Sequence, residues 1–282
     1  MKAGTSALYF LLKQHPGIFM CPVKEPNFFA IEGMNPPISI EGEDQTCFKL
    51  DNYRELFFSV SHESAIGEAS HSYLYFPGTE NKLLNHDPSA RIICILRNPI
   101  DRAYSHYLFL LRDEKETFGS FEQALQAEEE RISKGVYFGH YVKRGLYFEQ
   151  VKRYKDTFKA NQVRIFLYED LRENPARIAQ DIYLFLGVNP EFIPDSSITR
   201  NPSGVPKNKL LHNLLVKPNP LKKTLQPLLP ARFYRFATSI RDRNLTKPVL
   251  SQSLRDHLIG IFRDDILRLQ DLIERDLTGW LA

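Results

Sequence analysis

Two short stretches of this sequence carry the residue types that hold anions. The first is Lys2-Ala3-Gly4-Thr5-Ser6. It runs straight into a segment that puts Leu8, Leu11 and Leu12 on one helical face. Gly4 lets the backbone approach a ligand closely. The N–H groups of a helix's first turn, with its dipole, favour an anion there. Lys2 adds a positive charge, and Thr5 and Ser6 add hydroxyl donors. An ordinary helix start beside a lysine explains the same five residues about as well. The stretch is not a Walker A loop, because the lysine precedes the glycine.

The second stretch begins at Arg97. It follows the apolar run Ile92-Ile93-Cys94-Ile95-Leu96, the pattern of a central parallel strand. Open α/β sheets bind ligands at the carboxyl ends of their strands, where Arg97 falls. Asn98-Pro99 then opens a helix with an N-cap and a proline at its first position. Ser105 lies two turns on, so Arg97 and Ser105 are placed to converge on one phosphate. The competing explanation is a solvated helix face with Arg97 in a surface ion pair. An arginine also stands where a P-loop NTPase carries its magnesium-holding aspartate, which weakens a kinase reading.

The elements that would position these residues alternate short strands with amphipathic helices, the pattern of a parallel sheet flanked by helices. Strands are expected at Ala65 to Ala69, Arg91 to Leu96 and Val163 to Tyr168. Helices are expected after Ser6, from Asn98, over Phe121 to Ile132, over Leu146 to Phe158, from Asn174 to Leu186 and over Ser251 to Leu277. A long loop runs from Val188 to Pro206, and Pro218 to Pro230 reads as irregular. With 282 residues, 43% of them hydrophobic, the chain can bury an ample core without staples.

A formal net charge of +3, with basic residues spread along the chain, argues against a general polyanion binder and against nucleic acid as partner. Cys21, Cys47 and Cys94 are three and widely spaced, so neither a disulfide framework nor a metal site is implied. A reducing, cytoplasmic setting is the simplest expectation. No apolar run is long enough to span a membrane, and the motif at Lys2 leaves no room for a leader peptide.

Taken in order, these motifs resemble those of the sulfotransferases that use 3′-phosphoadenosine-5′-phosphosulfate (PAPS), in particular bacterial members and the heparan sulfate enzymes. Lys2 to Ser6 resembles the family's 5′-phosphosulfate loop. Leu96-Arg97-Asn98-Pro99 through Ser105-His106-Tyr107 resembles its 3′-phosphate motif. Lys24-Glu25-Pro26-Asn27-Phe28-Phe29 is similar to the segment that supplies a glutamate base in the heparan-type enzymes. Gly67-Glu68-Ala69-Ser70-His71-Ser72-Tyr73 is similar to the next strand and acceptor-side loop. Gly145-Leu146-Tyr147, Leu167-Tyr168-Glu169-Asp170-Leu171 and Phe185-Leu186-Gly187 match in order as well. The family places a buried strand just before its phosphosulfate loop, whereas Lys2 is the second residue here.

The resemblance implies one sulfotransferase domain over 1–282 and transfer of a sulfuryl group from PAPS to a hydroxyl or amine, releasing PAP, with no metal. Lys2 would neutralise charge on the sulfate and bridging oxygens, and Ala3, Gly4, Thr5 and Ser6 would cradle the 5′-phosphate. Arg97 and Ser105 would hold the 3′-phosphate. Glu25 is the candidate base, with burial expected to raise its pKa and Lys24 to lower it. His71 is a second candidate base, since free histidine titrates near pH 6.5. Tyr168 is a candidate nucleotide contact, as are Lys207 and Lys209 in the loop starting at Asn201. The acceptor (saccharide, lipid, carrier-bound or small alcohol) is open. The alternatives are a PAP-binding pseudoenzyme, an inactive fragment or a P-loop kinase.

Overall fold

The computed structural model describes residues 1–34, 49–199, 204–208, 240 and 243–282. Cys47, Lys209 and the Pro218 to Pro230 segment lie outside them. Four short strands form the frame: β1 (Ile18–Met20), β2 (Ala65–Gly67), β3 (Ile92–Leu96) and β4 (Val163–Leu167). All pair in parallel, as the alternation of strands and helices predicts. They do so as two separate pairs, β1 with β2 and β3 with β4. β3 and β4 match residue for residue from Ile92 opposite Val163 to Leu96 opposite Leu167. β1 has no counterpart among the strands expected from sequence, because three residues are too few to show a period.

Helices fill the connections. They are α1 (Thr5–Leu12), α2 (Phe28–Ile31), α3 (Leu50–Glu55), α4 (Ser72–Tyr75), α5 (Thr79–His86) and α6 (Pro99–Arg112). Then come α7 (Phe121–Gln126), α8 (Glu128–Ser133), α9 (Tyr147–Thr157), α10 (Tyr168–Glu173), α11 (Pro175–Leu186) and α12 (Gln252–Ile273). The expected helix over Phe121 to Ile132 is in fact two, α7 and α8, with Ala127 as the joint. α12 stops at Ile273, where Glu274 turns left-handed, short of the expected Leu277. The starts of α6 and α11 follow the sequence signals closely. Asn98 Oδ1 accepts from the N–H of Ile100 at 2.9 Å, and Asn174 Oδ1 from that of Arg177 at 3.0 Å. A small antiparallel pair, β5 (Val205–Pro206) with β6 (Leu245–Thr246), packs β5 against α6.

The largest apolar cluster joins α6, α9 and α12 through Ile100, Leu108, Val151, Phe262, Ile266 and Trp280. The second lies under α1, β1 and α11, with Leu11, Ile182 and Tyr183 fully buried. Between β2 and β3 lies a cavity of about 840 Å³. One wall is Ala65 to Ala69, the other Ile92 to Ile95, and Met1 stands at its border. Among the described residues no helix is long and apolar enough to cross a membrane.

Candidate active site

Each strand delivers a polar residue at or just past its carboxyl end. Beyond β1 comes Glu25, beyond β2 come Glu68 and His71, and directly after β3 and β4 come Arg97 and Tyr168. Strand direction alone therefore gathers residues from four distant parts of the sequence on one rim.

The phosphosulfate-loop candidates and the Arg97 motif meet there. Arg97 Nη1 donates to the Lys2 carbonyl at 3.0 Å. Its guanidinium also lies 4.8 Å from the centre of the Tyr168 ring, a cation–π arrangement. Lys2 itself turns left-handed at φ 63° and sets its ammonium 4.7 Å over Phe109. Phe109 lies one turn beyond Ser105 on the same face of α6, so Lys2 and Ser105 are close neighbours along that helix. Ser105 is fully buried. α1 begins at Gly4 without a side-chain cap on its first turn.

Gly4 is required on two counts. Its φ is 93°, and a Cβ there would lie 2.7 Å from the Tyr168 ring. Tyr168 thus closes over the loop and stacks on Arg97 at once. Gly4→Ala is expected to push Tyr168 aside and disorder both Lys2 and Arg97. The expected result is at least a tenfold loss of PAP affinity by calorimetry, with a lowered melting temperature because Leu171 of the second apolar cluster must give as well.

The carboxylate side of the rim is a second cluster. Glu25 is 5% exposed and left-handed at φ 61°. Its Oε2 accepts from the His71 N–H at 2.6 Å, and its Oε1 pairs with Lys24. The His71 ring Nε2 stands 4.0 Å from the same carboxylate. Burial pushes the Glu25 pKa up, but His71 and Lys24 together outweigh it, and the net direction is down. Burial raises it and Lys24 lowers it, as expected from sequence; the charge of His71, the larger of the lowering causes, was not anticipated. His71 sits beside the candidate base and donates to it through its backbone.

The raised carboxyl of the site is Glu68, which sequence reasoning passed over. Burial pushes it to about 7, against the pull of hydrogen bonds from Ser70 and Tyr73 and with a further push from Glu25. Its position directly after β2 was the available signal. A second residue found only in the structure is Lys247, just past β6. Burial lowers its pKa first, then the neighbouring charge of Arg97, which marks it as a basic residue close to Arg97. Lys207 is exposed at the end of β5, its N–H bonded to the Asn244 carbonyl at 2.7 Å. His106 is buried and packs edge-on against Tyr141, a core role. A small cavity lined by Met1, Ala3, His71, Arg102, Arg144 and Tyr147 joins the two clusters. Among the described residues no group of three His, Cys, Asp or Glu side chains is placed to hold a metal.

Comparisons with known proteins identify the family. The family model described as "Sulfotransferase domain" matches residues 1–212. The chain belongs to the sulfotransferase family. The crystal structure of a sulfotransferase from Alicyclobacillus acidocaldarius is 34% identical, with a TM-score of 0.76 over 100% of this chain and 95% of that one. The mouse sulfotransferase SULT7A1, solved in complex with PAP, shares the fold at 15% identity, with a TM-score of 0.51 over 97% of this chain and 83% of that one. Among curated relatives, the mouse bifunctional heparan sulfate N-deacetylase/N-sulfotransferase 4 is 25% identical over 206 residues, 71% of this chain. The human N-deacetylase/N-sulfotransferase 2 is 28% identical over 197 residues, 67% of this chain. The sulfotransferase chain spans only 23% and 21% of those two longer proteins.

Proposed function

We propose that this sulfotransferase moves a sulfuryl group from PAPS to a hydroxyl or amine and releases PAP. The observation that carries the reading is the Arg97 hydrogen bond to the Lys2 carbonyl, which ties the two anion-binding stretches into one site. The PAP in the mouse relative supports the nucleotide, and the heparan N-sulfotransferase relatives keep an amine acceptor in view. Arg97, Ser105 and the neighbouring Lys247 hold the 3′-phosphate, and Ala3 to Ser6 hold the 5′-phosphate. The acceptor oxygen or nitrogen attacks sulfur, and the bond from sulfur to the 5′-phosphate oxygen breaks. That oxygen leaves with the electron pair, its charge met by Lys2. Glu25 takes the proton that the acceptor loses. Such transfers ask mainly for positioning and charge stabilisation.

The test is a pair of titrations read as melting temperature, one with PAP and one with ATP plus magnesium. A clear shift with PAP and little with ATP is expected. The reverse would overturn the donor assignment in favour of a kinase, and no PAP response from a folded protein would favour the inactive alternatives. The buried thiols of Cys21 and Cys94, neither in a disulfide, fit a reducing cytoplasmic compartment, which we include in the proposal.

We further read 1–282 as one domain whose two strand pairs are halves of one sheet. The cavity between β2 and β3 is walled by the facing edges of both, and Met1 borders it. An extended apolar segment of about five residues, placed before Met1, is expected to pair with both edges. The expected result is a rise in melting temperature of several degrees. Replacing alternate apolar residues of the segment by Asp should cancel it.

A further inference from the structure

Residues 25 to 29 hold the candidate base in an unusual backbone. Glu25 and Asn27 are both left-handed, at φ 61° and 56°, with Pro26 between them. Non-glycine residues persist in that region only where their surroundings over-determine them. Part of the restraint is direct. Asn27 Nδ2 donates to the Glu25 carbonyl at 2.8 Å, Ser72 Oγ bonds to Asn27 Oδ1, and the Glu25 N–H donates to the Ala69 carbonyl at 3.0 Å.

The rest converges on one side chain. The Asn27 N–H donates to Ser70 Oγ at 3.0 Å, and Ser70 Oγ donates to Glu68 Oε2 at 2.7 Å. The Phe29 N–H donates to the Tyr73 hydroxyl at 3.4 Å, and that hydroxyl donates to Glu68 Oε1. Tyr53 adds a third hydroxyl at 3.3 Å. A hydroxyl has one proton and two lone pairs. With its proton committed to Glu68, each of Ser70 and Tyr73 turns a lone pair to a backbone N–H of the base-bearing segment. A carboxylate is the side chain that accepts from all three hydroxyls at once.

We propose that Glu68 is the positioning residue for Glu25: its carboxylate orients the Ser70 and Tyr73 hydroxyls, and these lock the left-handed segment that presents Glu25 to the His71 N–H. Burial and the nearby Glu25 charge push Glu68 up to about 7, so it is the carboxylate of this lock above that pH. The inference rests on Glu25 being the base only for its catalytic meaning; the lock itself is a property of the chain.

The experiment follows the Glu25 carboxyl carbon by carbon-13 NMR and the His71 amide proton, both well above pH 7, where Glu68 is a carboxylate. It uses wild type, Glu68→Ala, Glu68→Gln and Ser70→Ala, each first shown by circular dichroism to be folded. In Glu68→Ala the Glu25 carboxyl resonance is expected to shift, and the His71 amide resonance to move upfield as its acceptor swings away. Glu68→Gln, which keeps one acceptor, should fall between, and Ser70→Ala should reproduce part of the shift. A general loss of stability would lower the melting temperature without moving these two signals. Glu25 and His71 signals unchanged in Glu68→Ala overturn the proposal. Should that variant not fold, unchanged signals in Ser70→Ala and Glu68→Gln overturn it equally. No turnover is measured, so a separate failure of Glu25 as base would show only in the activity of Glu25→Gln.

Discussion

Arg97→Ala is expected to erase most of the thermal stabilisation that PAP gives the wild type. A ligand at a hundred times its Kd stabilises by about 2.7 kcal/mol. For a chain of this size that is roughly 5 °C or more in Tm. Arg97 does two things at once in the structure. It holds the Lys2 carbonyl at 3.0 Å and sets its guanidinium over the Tyr168 ring; the proposed function adds the 3′-phosphate to what that fork would hold. A charge-assisted hydrogen bond contributes about 1.5–3 kcal/mol. Losing a bidentate pair therefore costs about 3 kcal/mol, more than a hundredfold in Kd. At the same PAP concentration the stabilisation falls below about 0.5 kcal/mol. Arg97→Lys keeps the charge but not the fork, and is expected to recover only part of the shift. Ser105→Ala removes one buried hydroxyl from α6 and should weaken PAP binding by about tenfold. A full PAP shift in Arg97→Ala would show that the nucleotide binds elsewhere.

Glu25→Gln is expected to lower turnover by a factor of roughly 100 to 10,000, the usual worth of a positioned general base. PAP binding should be unchanged, because Glu25 belongs to the other cluster on the rim. Turnover is read as PAP released from PAPS with whichever member of a saccharide, lipid and small-alcohol panel serves as acceptor. The pH behaviour follows from the sign of the shift. Lys24 and His71 outweigh burial and hold the folded Glu25 below its ordinary value of 4.5. The base is then fully ionised throughout the neutral range, and the acid limb of turnover falls below pH 4.5. The same depression contributes stability above the unfolded pKa, which is lost as pH falls through the folded one. Glu25→Gln should lack that part of the acid destabilisation, as measured by Tm against pH. Undiminished turnover in Glu25→Gln would remove it as base and turn attention to His71.

A lowered pKa makes Glu25 a weaker base, a cost to its proposed role that its ionisation at neutral pH offsets. Its neighbour Glu68 shows the opposite balance. The two carboxyls share one rim and feel each other's charge, yet end on opposite sides of the ordinary glutamate value. The difference lies in the neighbours: His71 and Lys24 face Glu25, while Glu68 is met by neutral hydroxyls.

How much of this was legible beforehand divides along physical lines. Local rules wrote themselves into the sequence. Asn98-Pro99 and Asn174-Pro175 start helices because a cap and a preset φ act within four residues, and both helices begin there. The apolar run Ile92 to Leu96 forms β3, and Gly187 ends α11 in a left-handed turn. The motif order around Lys2, Glu25, Arg97 and Tyr168 was enough to point to the family, since each motif is a contiguous stretch.

Only the tertiary structure decided what depends on neighbours far along the chain. The sign of the Glu25 shift needed the placement of the His71 N–H and of the Lys24 ammonium, which burial alone would have misjudged. Glu68 gained its role from hydroxyls on Tyr53, Ser70 and Tyr73, brought together by the packing of α3 and α4 beside β2. Lys247 reached Arg97 because β6 follows β5 against α6. The break between the strand pairs was equally hidden, because a strand shows in sequence through its own side chains, while its pairing is set by whichever backbone edge lies beside it. Sequence therefore determined the element types and the residues that could do chemistry; distance and desolvation, which exist only once the chain is folded, determined which of them act together.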